Sequence, residues 1–472
     1  MLTYDVSKKG NKPLYIWLYE NIRNDIENGN LVADEKLPSK RALAEHLKIS
    51  IVTVQNTYAQ LIAEGYLYSV EKKGYFVSDF LKNSIPPLQR NFQKRAETIF
   101  VTPAEKETEQ KYHIDLSENS INHSEFPLSV WMRLMRNVIS KNYDSFFNRI
   151  PSTGLWELRK AISDHLYRYR GITADPNQIF IGAGTEYLYG ILIKLLGRDS
   201  VFAVEDPGYQ RIAQIYEAEN VEIRCIPLDS YGLNTLYLQE TDANIVHISP
   251  SHHFPTGIVM PVGRRQEILH WAREENNRYI IEDDYDSEFR FQGKPLPTME
   301  SLDNDQKIIY INTFSKTISP SFRISYMILP SELMKRYHQE FGFYSCTVPS
   351  LEQYTLAEFI QNGYFERHLN RMKRKYRNRK AEIINILKES SLKDKITITE
   401  AMAGLHFTVK LKTAKSDEQL KKEAAERGIK IKFLSDYSKK PEHIEDSTLL
   451  INYTSLESET MRKAITILEN IL

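Results

Sequence analysis

Lys316 closes the tetrad Thr313-Phe314-Ser315-Lys316 directly after the apolar run Lys307–Ile311, and Arg323 follows seven residues later. A lysine on a loop at a strand end is placed to reach a pocket above a parallel sheet. Ser315 and Arg323 can then bind anionic oxygens beside it. A Ser-Lys pair alone commonly marks a solvated surface; the strand before it and Arg323-x-Ser325-Tyr326 after it favour a site. Upstream, Ile280-Ile281-Glu282-Asp283-Asp284-Tyr285 ends an apolar strand in carboxylates. A carboxylate there can keep a pyridine nitrogen protonated, and Tyr285 can donate to a phenolic oxygen on the same ring. The alternative is a metal centre on Glu282, Asp283, Asp284 and Asp286, but no histidine or further carboxylate cluster completes one, so no metal is expected.

Gly182-Ala183-Gly184-Thr185 falls between a strand and a helix over Glu186–Leu196. Glycines let backbone amides approach a phosphate at a helix N-terminus. Asp206-Pro207-Gly208-Tyr209 follows the next strand, with Tyr209 either stacked on a bound ring or packed in the core. A nucleophilic lysine, a carboxylate for a ring nitrogen, an anion cup and ring-holding groups are the four requirements of pyridoxal 5'-phosphate chemistry. All four have candidates, in a consistent order.

The elements that must position these residues follow from pattern. Strand runs at Gln178–Ile181, Ser200–Val204, Asn244–Ile248, Tyr279–Ile281 and Lys307–Ile311 alternate with amphipathic stretches, which predicts an α/β domain around a mainly parallel sheet. Ile396–Leu411 and Leu449–Tyr453 read as a C-terminal α+β lobe. The basic run Arg367–Arg377 reads as a solvated helix face. A chain of 472 residues exceeds one compact core. The division expected is 1–79, a linker over 80–112 with Pro86-Pro87, Pro103 and a charged stretch, and 113–472. Net charge is zero, so any nucleic-acid surface must be local. Two distant cysteines give neither a disulfide framework nor a zinc pattern. With no signal-like h-region and no apolar run of membrane length, a cytoplasmic location is expected.

In the first 79 residues, apolar positions Leu14, Trp17, Leu18, Ile22 and Ile26 keep helical spacing. Ser39 is an N-cap opening a helix through Leu47; Ile49-Ser50 breaks it, and Thr53 to Ala63 forms another, stopped by Gly65. Tyr66–Val77 forms a two-stranded wing around Lys72-Lys73-Gly74. This is a winged helix-turn-helix. The runs Leu37-Pro38-Ser39-x-Arg41-x-Leu43-Ala44, Ser50-x-x-Thr53-Val54, Leu61-x-x-Glu64-Gly65-Tyr66 and Lys73-Gly74-Tyr75-Phe76-Val77 resemble the DNA-binding domain of the GntR family. Ser39, Ser50 and Thr53 suit phosphates. The resemblance implies DNA contacts from Arg41 and from Lys73-Gly74 at the wing tip. Family members usually carry a basic residue where this chain has Ile51. Residues 1–79 hold ten Lys/Arg and ten Asp/Glu, so binding must rest on few well-placed contacts or on paired half-sites.

Residues 113–472 resemble fold-type I aminotransferases, and Ser251-His252-His253-Phe254-Pro255-Thr256-Gly257 with Glu282–Phe289 is similar to the MocR/GabR subfamily of GntR regulators. That resemblance implies Lys316 as the Schiff-base lysine, Asp283 as partner of the pyridine nitrogen, and Tyr285, Ser315 and Arg323 as cofactor contacts, alongside Gly184, Thr185 and Tyr209. It places Arg211 at an effector-carboxylate position. A second arginine is replaced near Gly428–Phe433 by Lys430 and Lys432, which lack arginine's bidentate fork. The implied function is a regulator that binds DNA and senses an amine, an amino acid or pyridoxal 5'-phosphate itself, as a domain-swapped homodimer. The alternative is an active aminotransferase with an appended DNA-binding domain; Phe254, where ordinary aminotransferases have asparagine, and the missing arginine argue against efficient turnover.

Overall fold

A computed structural model describes residues 2–10, 12–79, 112–117, 126–141, 146, 148–291, 296–399, 404–441, 444 and 447–472. The expected linker therefore lies outside the described residues, Tyr112 excepted. The chain divides into two compact units, Met1–Glu107 and Thr108–Leu472.

In the first unit, helices α1 (Leu14–Glu27), α2 (Lys40–Leu47) and α3 (Ile51–Ala63) pack around Leu18, Ile22, Leu43, Val54, Tyr58 and Leu61. Ser39 and Ser50 cap α2 and α3: their hydroxyls accept from the amides of Ala42 at 3.2 Å and Thr53 at 3.1 Å. Because Ser50 is the cap, α3 begins two residues before the expected Thr53. The wing strands β2 (Leu67–Val70) and β3 (Gly74–Val77) pair antiparallel. A third strand, β1 (Lys36–Leu37), joins β3; two residues are too short to show periodicity.

The second unit opens with β4 (Ile114–Asp115), α4 (Leu128–Lys141) and α5 (Trp156–Arg170). Then β5 (Ile179–Gly182), α6 (Thr185–Leu196), β6 (Val201–Asp206), α7 (Gln210–Ala218), β7 (Glu222–Asp229), β8 (Gly232–Leu233), α8 (Thr235–Gln239), β9 (Ile245–Ile248), α9 (Val262–Arg273), β10 (Tyr279–Asp283), β11 (Ile308–Thr313) and β12 (Ser325–Ile328) follow. They build one sheet in the order β5-β12-β11-β10-β9-β6-β7-β8, parallel through its middle and antiparallel at β12 and β8. Side chains alternate across it. Phe202, Ile245, Ile281 and Ile311 meet α6 and α7 on one face, whereas Val246, Ile248, Ile280 and Ile308 meet α9 on the other. Strands buried on both faces read as continuous apolar runs, so these segments were legible.

After the sheet come α10 (Ser331–Phe341), α11 (Ser350–Gln361), α12 (Tyr364–Glu389), β13 (Ile396–Thr399), β14 (His406–Leu411), α13 (Asp417–Glu426), β15 (Ile429–Lys430), β16 (Thr448–Asn452) and α14 (Ser458–Glu469). The last strands form the antiparallel sheet β13-β14-β16, and β15 pairs back with β4. The basic run sits on α12, which buries Leu369, Met372 and Tyr376 and leaves its arginines on the wet face.

At the end of β10 the alternation separates three consecutive acids. Glu282 turns to the α9 side and accepts the amides of Met299 and Glu300, both at 2.9 Å. Asp284 receives Arg170 at 2.7 Å, Ser287 at 2.7 Å and the Tyr310 hydroxyl at 2.6 Å. The Arg170–Asp284 pair is almost fully buried, and cutting one side of it strands the other charge. Arg170→Ala should cost about 3–5 kcal/mol, read as a lower midpoint of urea unfolding. Adding Asp284→Asn should recover part of that loss, since the stranded charge is then gone. No recovery would place the cost in packing instead.

Candidate cofactor site

Asp283, by contrast, faces α6. Its Oδ2 accepts from the Tyr189 hydroxyl at 2.6 Å and lies 3.5 Å from His247 Nε2, whose Nδ1 meets the Tyr216 hydroxyl at 2.7 Å. Register explains the meeting: Ile281 pairs with His247, and Asp283 is two residues along on the same face. Burial and the Asp283 charge raise the Tyr189 hydroxyl well above its ordinary pKa, so it stays a donor. The other oxygen, Asp283 Oδ1, has no hydrogen-bond partner among the described residues although only 6% of the residue is exposed. An unanswered buried carboxylate oxygen is costly. It fits a ligand that brings an N–H.

That residue borders a cavity of about 200 Å³ lined by Thr185, Tyr209, Arg211, Phe254, Tyr285, Ser315, Lys316 and Arg323, among others. The expected cofactor candidates are thus brought together, drawn from the ends of β5, β6, β10 and β11 and from the loop before β12. Lys316 sits in the loop after β11, mostly buried, and desolvation lowers its amine to about pKa 8 against the opposing pull of Asp286. Tyr285 hydrogen-bonds His252 Nδ1 at 3.2 Å, and the same ring nitrogen is 3.0 Å from Asp286. Burial above all raises the Tyr285 hydroxyl well above 10, so it too keeps its proton.

The anion cup is built by close approach. Gly184 starts α6 at φ +93°, and a Cβ there would stand 2.5 Å from Arg323 Nη2 and 2.8 Å from its Cζ. Arg323 itself takes a left-handed φ of +51°. Its guanidinium meets Glu186 at 3.0 Å, and Arg211 meets the other oxygen of Glu186 at 3.1 Å. Thr313 donates to Ser315 at 2.9 Å and accepts from Ser325 at 2.8 Å, fixing the loop ahead of Lys316. Helix-start amides, a hydroxyl and a guanidinium suit a phosphate. Gly184, Arg323, Ser315 and the unanswered Asp283 oxygen together fit pyridoxal 5'-phosphate.

Tyr209 lies at the cavity wall, its ring edge-on to Phe254 at 5.9 Å. Phe254 in turn meets Tyr437 at 5.0 Å. Lys430 and Lys432 are not brought to this lining. Strand pairing puts Lys430 3.2 Å from Asp115, while Lys432 lies over the Tyr437 ring at 5.6 Å. Both border a separate cleft with Tyr112 and Asp436.

Sequence reasoning missed Tyr189, His247, Glu186 and Glu205. Tyr189 is four residues after Thr185 on α6, a spacing that carried the signal. His247 could be found only through strand register. Glu205 accepts the Ser249 amide at 3.0 Å, and burial raises its carboxyl to about pKa 8. Among the described residues no cluster of metal-ligating side chains occurs. In the first unit Ser39 and Ser50 spend their hydroxyls as caps, Ser50 also meeting Thr53 Oγ1 at 2.8 Å. Arg41 is exposed on α2, and Lys73 ends the turn between β2 and β3, where Gly74 opens β3 at φ +115°.

Two outcomes test the cup and the lysine. Gly184→Ala should displace Arg323 and weaken pyridoxal 5'-phosphate binding by about tenfold or more, the scale of one charge-assisted hydrogen bond, with the fold retained. An absorbance titration reads it. Only the unprotonated amine captures an aldehyde. Attachment at Lys316 should therefore strengthen about tenfold per pH unit up to about pH 8 and level off above it, in the direction set by its lowered pKa.

The family of bacterial regulatory proteins of the gntR type matches residues 14–77, and the aminotransferase class I and II family matches residues 111–468. An uncharacterized HTH-type transcriptional regulator, YdeL of Bacillus subtilis, is 36% identical over 96% of this chain and 95% of its own length. The probable rhizopine catabolism regulatory protein MocR of Rhizobium meliloti is 30% identical over 96% of this chain and 92% of its own. In fold, the larger unit is like Pyrococcus horikoshii kynurenine aminotransferase, with a TM-score of 0.66 at 21% identity, covering 84% of this chain and 96% of that one. Both family matches run in the order of the whole-length relatives, and the chain belongs to the MocR/GabR subfamily of GntR-family transcriptional regulators, pyridoxal 5'-phosphate-dependent proteins that carry a DNA-binding winged helix ahead of an aminotransferase-like domain.

Proposed function

We propose that this regulator reports a primary amine or amino acid, or pyridoxal 5'-phosphate itself, to its operator through the cavity at Lys316. The observation that supports this reading is the meeting, on one cavity wall, of Lys316, Asp283 and Arg211. Bound pyridoxal 5'-phosphate supplies an aldehyde that primary amines capture reversibly. Lys316, with its amine lowered to about pKa 8, holds an unprotonated fraction at neutral pH and competes with an entering amine for that capture. Asp283 Oδ1 accepts the ring N–H and keeps its proton in place; Tyr189 and His247 hold the carboxylate for that task. Tyr285 donates to the ring oxygen. Gly184, Thr185, Ser315 and Arg323 hold the phosphate, and Tyr209 covers the ring.

Arg211 takes the effector's carboxylate, in exchange for Glu186. Lys430 and Lys432, held by Asp115 and Tyr437, take no part in this contact. DNA is engaged by Arg41, Thr53, Lys73 and Gly74, with Ser39 and Ser50 fixing the helix starts. The functional unit we propose is a domain-swapped homodimer, in which occupancy of the cavity biases the DNA-binding arms. An aminotransferase with an appended DNA-binding domain is the second reading, favoured by the full set of cofactor candidates around one cavity. Phe254, lining that cavity where ordinary aminotransferases carry asparagine, argues for weak turnover.

Adding pyridoxal 5'-phosphate should give the visible absorbance band of a lysine-bound cofactor, and Lys316→Ala should abolish it; an unchanged spectrum removes Lys316 from its role. Footprinting upstream of the chain's own gene, with cofactor and amines added singly, separates the readings. A response to an amine supports amine sensing, a response to cofactor alone supports cofactor sensing, and sustained keto-acid-dependent turnover supports the enzyme. Glu186→Gln removes the carboxylate resident between Arg211 and Arg323, and should tighten binding of carboxylate-bearing effectors severalfold while leaving simple amines unchanged, as read by calorimetry.

A further inference from the structure

The recognition helix carries an unusual outer face. Thr57 donates to the Tyr15 carbonyl at 3.0 Å and Tyr58 to the Pro38 carbonyl at 2.9 Å, while Val54 and Leu61 are fully buried. These contacts fix the rotation of α3 about its axis. Ile51, Val52, Gln55, Asn56 and Ala59 are consequently exposed, at the spacing of one helix face. Ile51 is 47% exposed and Val52 63% exposed, on a first turn held by the Ser50 cap. Among the described residues none hydrogen-bonds the side-chain amide of Gln55 or Asn56. The thirteen residues of α3, IVTVQNTYAQLIA, include no charged side chain.

Each base pair offers the major groove a distinct surface. Guanine is read by arginine or lysine at O6 and N7, adenine by asparagine or glutamine at N6 and N7, and the thymine methyl by apolar side chains. The N-terminal residues of a recognition helix are those that meet base edges. This helix presents two aliphatic side chains and two carboxamides there, and neither arginine nor lysine to read guanine. The rest of the unit, with ten basic and ten acidic residues over 1–79, offers little unspecific attraction, which leaves discrimination to this face.

We propose that α3 is an A·T reader: thymine methyl groups lie against Ile51 and Val52, and Gln55 and Asn56 hydrogen-bond adenine. The proposal rests on DNA binding by this unit and concerns the base pairs under α3, not those reached by Arg41 or the wing.

The test uses the full-length protein and a randomised duplex pool. Selection should enrich a motif, and the positions whose preference relaxes about tenfold in Gln55→Ala or Asn56→Ala should be A·T pairs. Each thymine of the enriched duplex is then replaced singly by deoxyuridine, which removes only the methyl. One or two replacements should weaken binding about threefold to fivefold, the value of one buried methyl. Ile51→Ala or Val52→Ala, both exposed and helix-compatible, should bind the two duplexes equally and match wild type on the deoxyuridine form. Relaxed positions that prove to be G·C, or wild-type protein indifferent to every methyl, overturn the proposal. A protein that retains no duplex from the pool overturns DNA binding itself, and one that retains duplexes without enriching a motif overturns the proposal.

Discussion

Three consecutive carboxylates at the buried end of one strand are the constraint on which the larger unit depends. A buried charge is tolerated only when it is answered. Strand alternation sends Glu282 and Asp284 away from Asp283, and the surrounding elements answer each differently. Glu282 is satisfied on both oxygens by backbone amides, whereas Asp284 takes Arg170, Ser287 and Tyr310 all on Oδ2, with no hydrogen-bond partner on Oδ1 among the described residues. Asp283 is likewise answered on one oxygen, but of the three it is the one that borders the cavity. Glu282 and Asp284 anchor the strand end and the loop beyond it; Asp283 faces the cavity.

The cavity's remaining electrostatics follow from burial and competition. Desolvation brings the Lys316 amine down toward neutrality, where both of its protonation states are accessible. In the same cavity, Glu186 spans Arg211 and Arg323, so two cations that suit anionic ligands are already matched by a resident carboxylate. An entering anion exchanges for Glu186 rather than meeting bare charge. The aromatic wall of Tyr209, Phe254 and Tyr437 supplies shape without further charge.

The smaller unit obeys the opposite economy. Its charges cancel, its helix-start serines are occupied as caps, and its recognition helix is neutral. Affinity from counterion release is limited in such a unit, so base-edge contacts carry more of the recognition.

The sequence by itself determined the element types, both unit architectures and most of the cavity wall. Buried parallel strands declare themselves as apolar runs, caps and glycines mark the helix ends, and a chemical motif stays together when its residues are neighbours, as in Ser315-Lys316 or Asp283-x-Tyr285. Tertiary structure alone decided what depends on register and on facing elements. His247 reaches Asp283 because β9 pairs with β10 in one register, and Glu186 joins Arg211 to Arg323 across three separate segments. Lys430 and Lys432, adjacent to the site by position in a family pattern, are drawn off by Asp115 and Tyr437. The alternating residues of a short strand carry no mark of which face is the site; only the packed sheet shows that Asp283, and neither neighbour, borders the cavity.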